Sequence, residues 1–156
     1  MLITMFTDAG FDHQLKLGVW AAWAKADGVA MRRSGVLRSD IPNVDVAELQ
    51  AIANGLACIV PAMAPPAGSK IIAQTDSLNA IRAIKRTAYC KPASFSRVEN
   101  MLTVITKFTT GANLVVEWRH VRAHQGTGTP RNAVNEWCDG ECRRLLRDAR
   151  VQKKLA

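Results

Sequence analysis

The sequence predicts an α/β domain with the element order β-β-β-α-β-α-α-β-α, and three observations carry that reading. The N-terminal part consists of short apolar runs separated by tight-turn residues, as strands and hairpins require. After Pro42 the apolar residues recur at three and four positions, the period of a helix. From there on strands alternate with helices, closing with a strand, a Gly-rich loop and a long helix between Val116 and Leu146.

Leu2 to Phe6 reads as a strand that ends in Thr7-Asp8-Ala9-Gly10, taken as a turn, with Asp8 at the strand's end or just inside it. Lys16 to Ala26 carries Leu17, Val19 and Trp23 on one side and small residues on the other. Asp27-Gly28 is a two-residue hairpin signal, and Val29 to Leu37 returns, giving an antiparallel meander.

Val46, Leu49, Ile52, Ala53, Leu56, Ile59 and Val60 mark an amphipathic helix with Asp45 as its N-cap. Glu48 lies one turn before Ile52, at the border of the buried face. Pro61 to Gly68 is read as a connector, since proline removes a helix donor.

Lys70 to Thr75 is a short strand ending at Asp76-Ser77, followed by a helix through Leu78, Ile81 and Ile84. Arg86 to Ser94 is irregular and basic. Ser96-x-x-Glu99 resembles a capping box for a helix through Met101, Leu102, Ile105 and Phe108, ended by Gly111. Asn113 to Val121 is the last strand, and Thr129-Pro130 opens the last helix. Val134, Trp137, Cys138, Cys142, Leu145 and Ala149 form its core stripe, with Asp139 one residue off the stripe.

A length of 156 residues suits one compact domain, 1–156, without internal repeat, low-complexity tract or second domain. The start, MLITMFTDAGF, lacks the basic, apolar and small-residue segments of a secretory signal. No apolar run approaches the roughly 18 residues of a membrane span. The chain is therefore read as a cytoplasmic monomer with no membrane partner.

Cys58, Cys90, Cys138 and Cys142 are scattered and read as reduced thiols. The pairs Cys138/Cys142 and His120/His124 raise a zinc site, but neither has the short ligand spacing of structural zinc, and packing is the better account. The formal net charge is +8, with basic residues at Lys85, Arg86 and Lys91, at Arg119 and Arg122, and along Arg143 to Lys154. Such a surface favours a polyanion, a nucleic-acid backbone above all.

Asp8, Glu48, Asp76 and Asp139 occupy similar settings, at strand ends or on helix borders. Several carboxylates converging on one point cannot all ionise without compensation. The cluster implies either raised pKa values or bound divalent cations.

Here the chain resembles the type 1 ribonuclease H family. TDAG at Thr7 to Gly10, AEL at Ala47 to Leu49, TDS at Thr75 to Ser77, VRAHQG at Val121 to Gly126 and NEWCD at Asn135 to Asp139 stand in that family's order and span nearly the whole chain. The resemblance implies a mixed five-stranded sheet flanked by helices. It also implies endonucleolytic cleavage of the RNA strand of RNA–DNA hybrids to 5′-phosphate and 3′-hydroxyl ends, without sequence specificity. Asp8, Glu48, Asp76 and Asp139 would hold two Mg2+ ions, with Mn2+ as a substitute, and Asp8 would bridge them. His124 would move protons or release product. Gly10, Asn43, Asn79, Lys85, Arg86 and Lys91 would face the hybrid.

The chain departs from the family at Asn43-Val44-Asp45, where paired asparagines are usual, at Leu78, where a glutamine is frequent, and in a longer stretch between His124 and Asp139. Three other readings stay open at this point: a nuclease of the same fold acting on structured or branched DNA, a nucleic-acid binding module without catalysis, and a structural or interaction protein with a basic surface.

Overall fold

The structure is a computed structural model and describes residues 1–37, 41–86, 95–122 and 129–156, except for the side chain of Phe95. The elements are β1 (Leu2–Asp12), β2 (Leu17–Ala26), β3 (Val29–Val36), α1 (Val44–Met63), β4 (Lys70–Thr75), α2 (Leu78–Ile84), α3 (Phe95–Thr110), β5 (Val115–His120) and α4 (Pro130–Leu155). Their order is the one the sequence predicts.

The strands form one five-stranded sheet in the order β3-β2-β1-β4-β5. β1 pairs antiparallel with β2 and β2 with β3, while β1–β4 and β4–β5 are parallel, so the sheet is mixed. At the β2–β3 hairpin Asp27 and Gly28 both have positive φ, 49° and 82°, as a two-residue turn matching strand twist requires. Asp12 Oδ1 accepts from the amides of Gln14 and Leu15 and so shapes the β1–β2 turn.

Four expectations are corrected. β1 does not end at Phe6 but runs through Thr7-Asp8-Ala9-Gly10 to Asp12, because Ala21, Trp20, Val19, Gly18 and Leu17 of β2 supply a ladder that local turn chemistry cannot outweigh. The N-cap of α1 is Asn43, whose side chain accepts from the Val46 amide at 3.0 Å; Asp45 already lies inside the helix. α1 continues past Pro61 to Met63 and is closed by Ala64 in the left-handed region. Proline in the last turn forgoes a single ladder bond and needs only the φ it already prefers. Ser96 is inside α3 and does not cap it.

α1 is also long and apolar enough to cross a membrane, contrary to the expectation from apolar runs alone. It is the core helix instead. Val46, Leu49, Ile52, Leu56 and Ile59 are buried with Ile3 and Met5 of β1, Ile71 of β4, and Val98, Leu102 and Ile105 of α3. The other face of β1 and β2 is covered by α4, where Phe6, Val19, Ala21, Cys138 and Cys142 form a second cluster.

Gly55 sets the height of α1 over the sheet: a Cβ there would lie 3.1 Å from Thr7 Cγ2 and 3.2 Å from Ala22 Cβ. Gly55→Val is expected to cost about 2–3 kcal/mol by overpacking. Chemical denaturation checks this, and an unchanged midpoint would contradict the close approach. Gly10 is small for a similar reason, since a Cβ would meet Val19 Cγ2 at 2.8 Å and Leu146 Cδ1 at 2.9 Å. α4 is anchored by Arg150, whose Nε donates to Asp12 Oδ2 at 2.6 Å, and by Glu141, which accepts from Ser34 Oγ at 2.7 Å.

Candidate active site

The parallel register of β1 and β4 ends at Thr7↔Thr75, so the next residues, Asp8 and Asp76, stand side by side where the two strands part. β1 goes on with β2 as its partner, with Asp8 opposite Ala21, whereas β4 stops. This divergence opens a cleft with an aspartate on each lip. Ser77 follows as the N-cap of α2 and accepts from the Ala80 amide at 3.1 Å, which fixes the turn that carries Asp76.

Glu48 enters from α1. It is buried, on the helix face shared with Ala47, Ala51 and Ile52. Ligand oxygens of Asp8, Glu48 and Asp76 lie within 4.8 Å of one another, and they are the group able to hold a metal ion among the described residues. Glu48 Oε2 is buried without a hydrogen-bond partner. An orphaned oxygen on a carboxylate grouped with two others is what a divalent cation would satisfy, and hard oxygen donors suit Mg2+ or Mn2+. The donor set fits the group.

The electrostatics agree. Burial, then the charge of Asp76, pushes the Asp8 carboxyl up to about 7, against a 2.9 Å hydrogen bond from the Ala9 amide that favours its charged form. Burial, with Asp8 and Asp76 next, holds Glu48 well above the usual carboxylate range. Crowding of carboxylates away from water favours their protonated forms.

Asp139 is not within that close group. Its Oδ2 is paired with Arg143 Nη2 at 2.6 Å, one helical turn on. Its charge still reaches the cleft, since it contributes to raising Asp8. The structure thus gathers Asp8, Glu48 and Asp76 tightly and places Asp139 at their margin.

Of the substrate-facing candidates, Asn43 spends its Oδ1 on the α1 cap, and Asn79 Nδ2 donates to Asp45 Oδ1 at 3.1 Å, joining the starts of α1 and α2. Lys85 is the C-cap of α2, and Arg86 pairs with Glu99 at 3.1 Å. Gly10 lies on β1 two residues beyond Asp8, its missing side chain explained by α4. His124 and Lys91, together with Cys90 and most of the long loop before α4, lie outside the described residues.

Two contacts beside the site escape sequence reasoning, while the packing role read for Cys138 and Cys142 holds. His120 Nε2 is 3.0 Å from the Asp76 carbonyl oxygen, which ties β5 to the turn carrying that aspartate. Cys142 donates its thiol to the Asp8 carbonyl at 3.6 Å. Cys138 and Cys142 are buried, and burial with Asp8 nearby pushes the Cys138 thiol up to about 12, so both act as packing groups.

The structure is an α/β fold with a mixed sheet, in which the neighbouring parallel strands β1 and β4 bring two aspartates side by side where their pairing stops, next to a buried helix glutamate. The RNase H profile matches residues 2–146, and the chain belongs to the RNase H family. Similar solved structures include RNase H1 from the halophilic archaeon Halobacterium salinarum, with a TM-score of 0.69 at 14% identity over 95% of this chain and 99% of that one. The N-terminal RNase H domain of a Mycobacterium tuberculosis protein gives 0.69 at 15% over 98% of each chain. LC11-RNase H1, solved in complex with an RNA/DNA hybrid, gives 0.66 at 16% over 92% of this chain and 99% of that one. Identities this low establish a shared fold. No curated protein matches the sequence.

Proposed function

We propose that the protein is a metal-dependent endonuclease that hydrolyses the RNA strand of RNA–DNA hybrids, leaving 5′-phosphate and 3′-hydroxyl ends, without sequence specificity. The observation that carries this reading is the convergence of Asp8, Glu48 and Asp76, with one Glu48 oxygen buried and unpartnered, within an RNase H fold. The hybrid bound to the structurally similar LC11-RNase H1 supports the substrate class.

Asp8, Glu48, Asp76 and Asp139 would hold two Mg2+ ions, which activate water and stabilise a leaving oxygen when bound. The chain's own part is to present acceptor oxygens on elements tied into sheet and core: β1 inside the sheet, β4 at its register end, α1 in the core. His124, following β5, is assigned proton movement or product release, as an imidazole titrating near neutrality permits. Gly10, Asn43, Asn79, Lys85, Arg86 and Lys91 are assigned to the hybrid. With Asn43 and Asn79 partly engaged within the protein, the phosphate backbone carries most of the affinity.

Side-by-side digestion of hybrid, duplex DNA and a four-way DNA junction, with and without Mg2+, tests the reading. RNA-strand cleavage that requires the metal and leaves ligatable 5′-phosphates is the expected result. Equal cutting of the junction, or tight hybrid binding with no turnover in Mg2+ or Mn2+, would overturn it.

A further inference from the structure

Of Arg143, Arg144, Arg147 and Arg150 on α4, Arg143 differs in its partner. Arg144 pairs with Glu141 and Asp148, Arg147 faces Asp148, and Arg150 is bonded to Asp12, none of which belongs to the carboxylate set. Arg143 instead binds Asp139 Oδ2 at 2.6 Å and is near enough for its charge to lower the Asp8 carboxyl against the other influences on it. The guanidinium stays 70% exposed while the carboxylate it holds is only 35% exposed. The cation therefore stands at the mouth of the cleft, with one edge on the carboxylate and the rest in water.

Asp139 is the one carboxylate of the set outside the close group, and Arg143 is the group that occupies its oxygen. The cleft otherwise carries concentrated negative charge, which Arg143 partly offsets. A divalent cation entering the cleft competes with Arg143 for the same oxygen, and two positive charges that close repel. A guanidinium freed there faces the position where an anionic backbone must approach, and its planar donors suit phosphate oxygens.

We propose that Arg143 is an internal counter-cation of the carboxylate cleft: it holds Asp139 aside until a divalent cation takes that carboxylate, and the released guanidinium then binds a phosphate oxygen of the nucleic acid. This rests on the metal-site reading given above. Arg143 is a positioning residue in the first state and a substrate contact in the second. Its two roles have opposite signs: it weakens metal binding to the free protein and strengthens binding of the nucleic acid.

The test uses the full chain and Mn2+ alone as probe, with free Mn2+ followed by electron paramagnetic resonance. Arg143→Gln is expected to bind Mn2+ about 3- to 10-fold more tightly than wild type, the scale of one partly exposed charge pair, while Arg143→Lys stays near wild type. With Ca2+ in place of Mg2+ to slow turnover, Arg143→Gln should bind hybrid more weakly, with the slope of log Kd against log salt reduced by about one. Circular dichroism confirms folding, and Asp76→Asn, expected to lose Mn2+ binding, assigns the signal to the cleft. Wild-type Mn2+ affinity in Arg143→Gln, or an unchanged salt slope, overturns the proposal and leaves the metal site standing. No Mn2+ binding by wild type overturns both.

Discussion

Asp8→Asn and Asp76→Asn are each expected to lower kcat/KM on an RNA–DNA hybrid by about 10^3-fold or more, roughly 4 kcal/mol of transition-state stabilisation, with the fold retained. Asparagine keeps the shape of the side chain and removes the charge, so the comparison isolates what the carboxylate contributes. At Asp8 the charge is costly in the metal-free protein, because burial and Asp76 both oppose ionisation. Its removal should leave thermal stability in chelator equal to or above wild type. The pairing of a large catalytic loss with no structural loss separates a metal ligand from a packing residue. A merely structural Asp8 would lose stability along with activity. Full turnover in either variant, or wild-type turnover in excess chelator, would sink the two-metal reading.

The positions of Asp8, Glu48 and Asp76 could be read from the sequence because each follows from a local pattern: an apolar run meeting an aspartate, or a glutamate at the border of a helical stripe. Their convergence required that β1 and β4 share one sheet and that α1 pack against it. What local patterns could not show was where pairing stops. Thr7-Asp8-Ala9-Gly10 has the composition of a turn, yet β2 continues opposite it and holds it extended, which puts Asp8 inside a strand. The same limit applies to His120, whose contact with the Asp76 carbonyl exists only through the Thr75↔His120 register. The N-cap of α1 was misplaced by two residues because Asn43 and Asp45 are both competent caps, and sequence alone does not say which residue turns extended. Asp139 was legible as a helix carboxylate, but not the extent to which Arg143 draws it from the others.

The metal-free protein is expected to lose stability as pH rises from about 4 to about 7, the reverse of what paired surface carboxylates would produce. The sign follows from the shifts. Asp8, pushed from 3.8 up to about 7, keeps its proton in the folded state over a range where the unfolded chain has released it, and Glu48 is displaced in the same direction. The folded state then binds more protons than the unfolded one, so stability is greatest below the unfolded pKa and is lost as pH climbs through the folded one. One carboxyl displaced by about three units corresponds to at most about 4 kcal/mol, and the coupled cluster shares rather than multiplies that figure. Asp12, Glu117 and Glu141 act oppositely: hydrogen bonds and arginine or lysine partners hold them below their ordinary values, so their contribution fades only as pH falls below about 4. Urea unfolding in chelator should therefore show a maximum near pH 4–5 and a decline of about 2–4 kcal/mol by pH 8. Asp8→Asn and Glu48→Gln should each flatten that decline. Added Mg2+ should reverse it, because a cation that binds the ionised cluster stabilises the folded state by mass action, and more at pH 8 than at pH 5. A chelated protein whose stability is level or rising between pH 5 and 8 would show that the three carboxylates are not held together as the geometry places them.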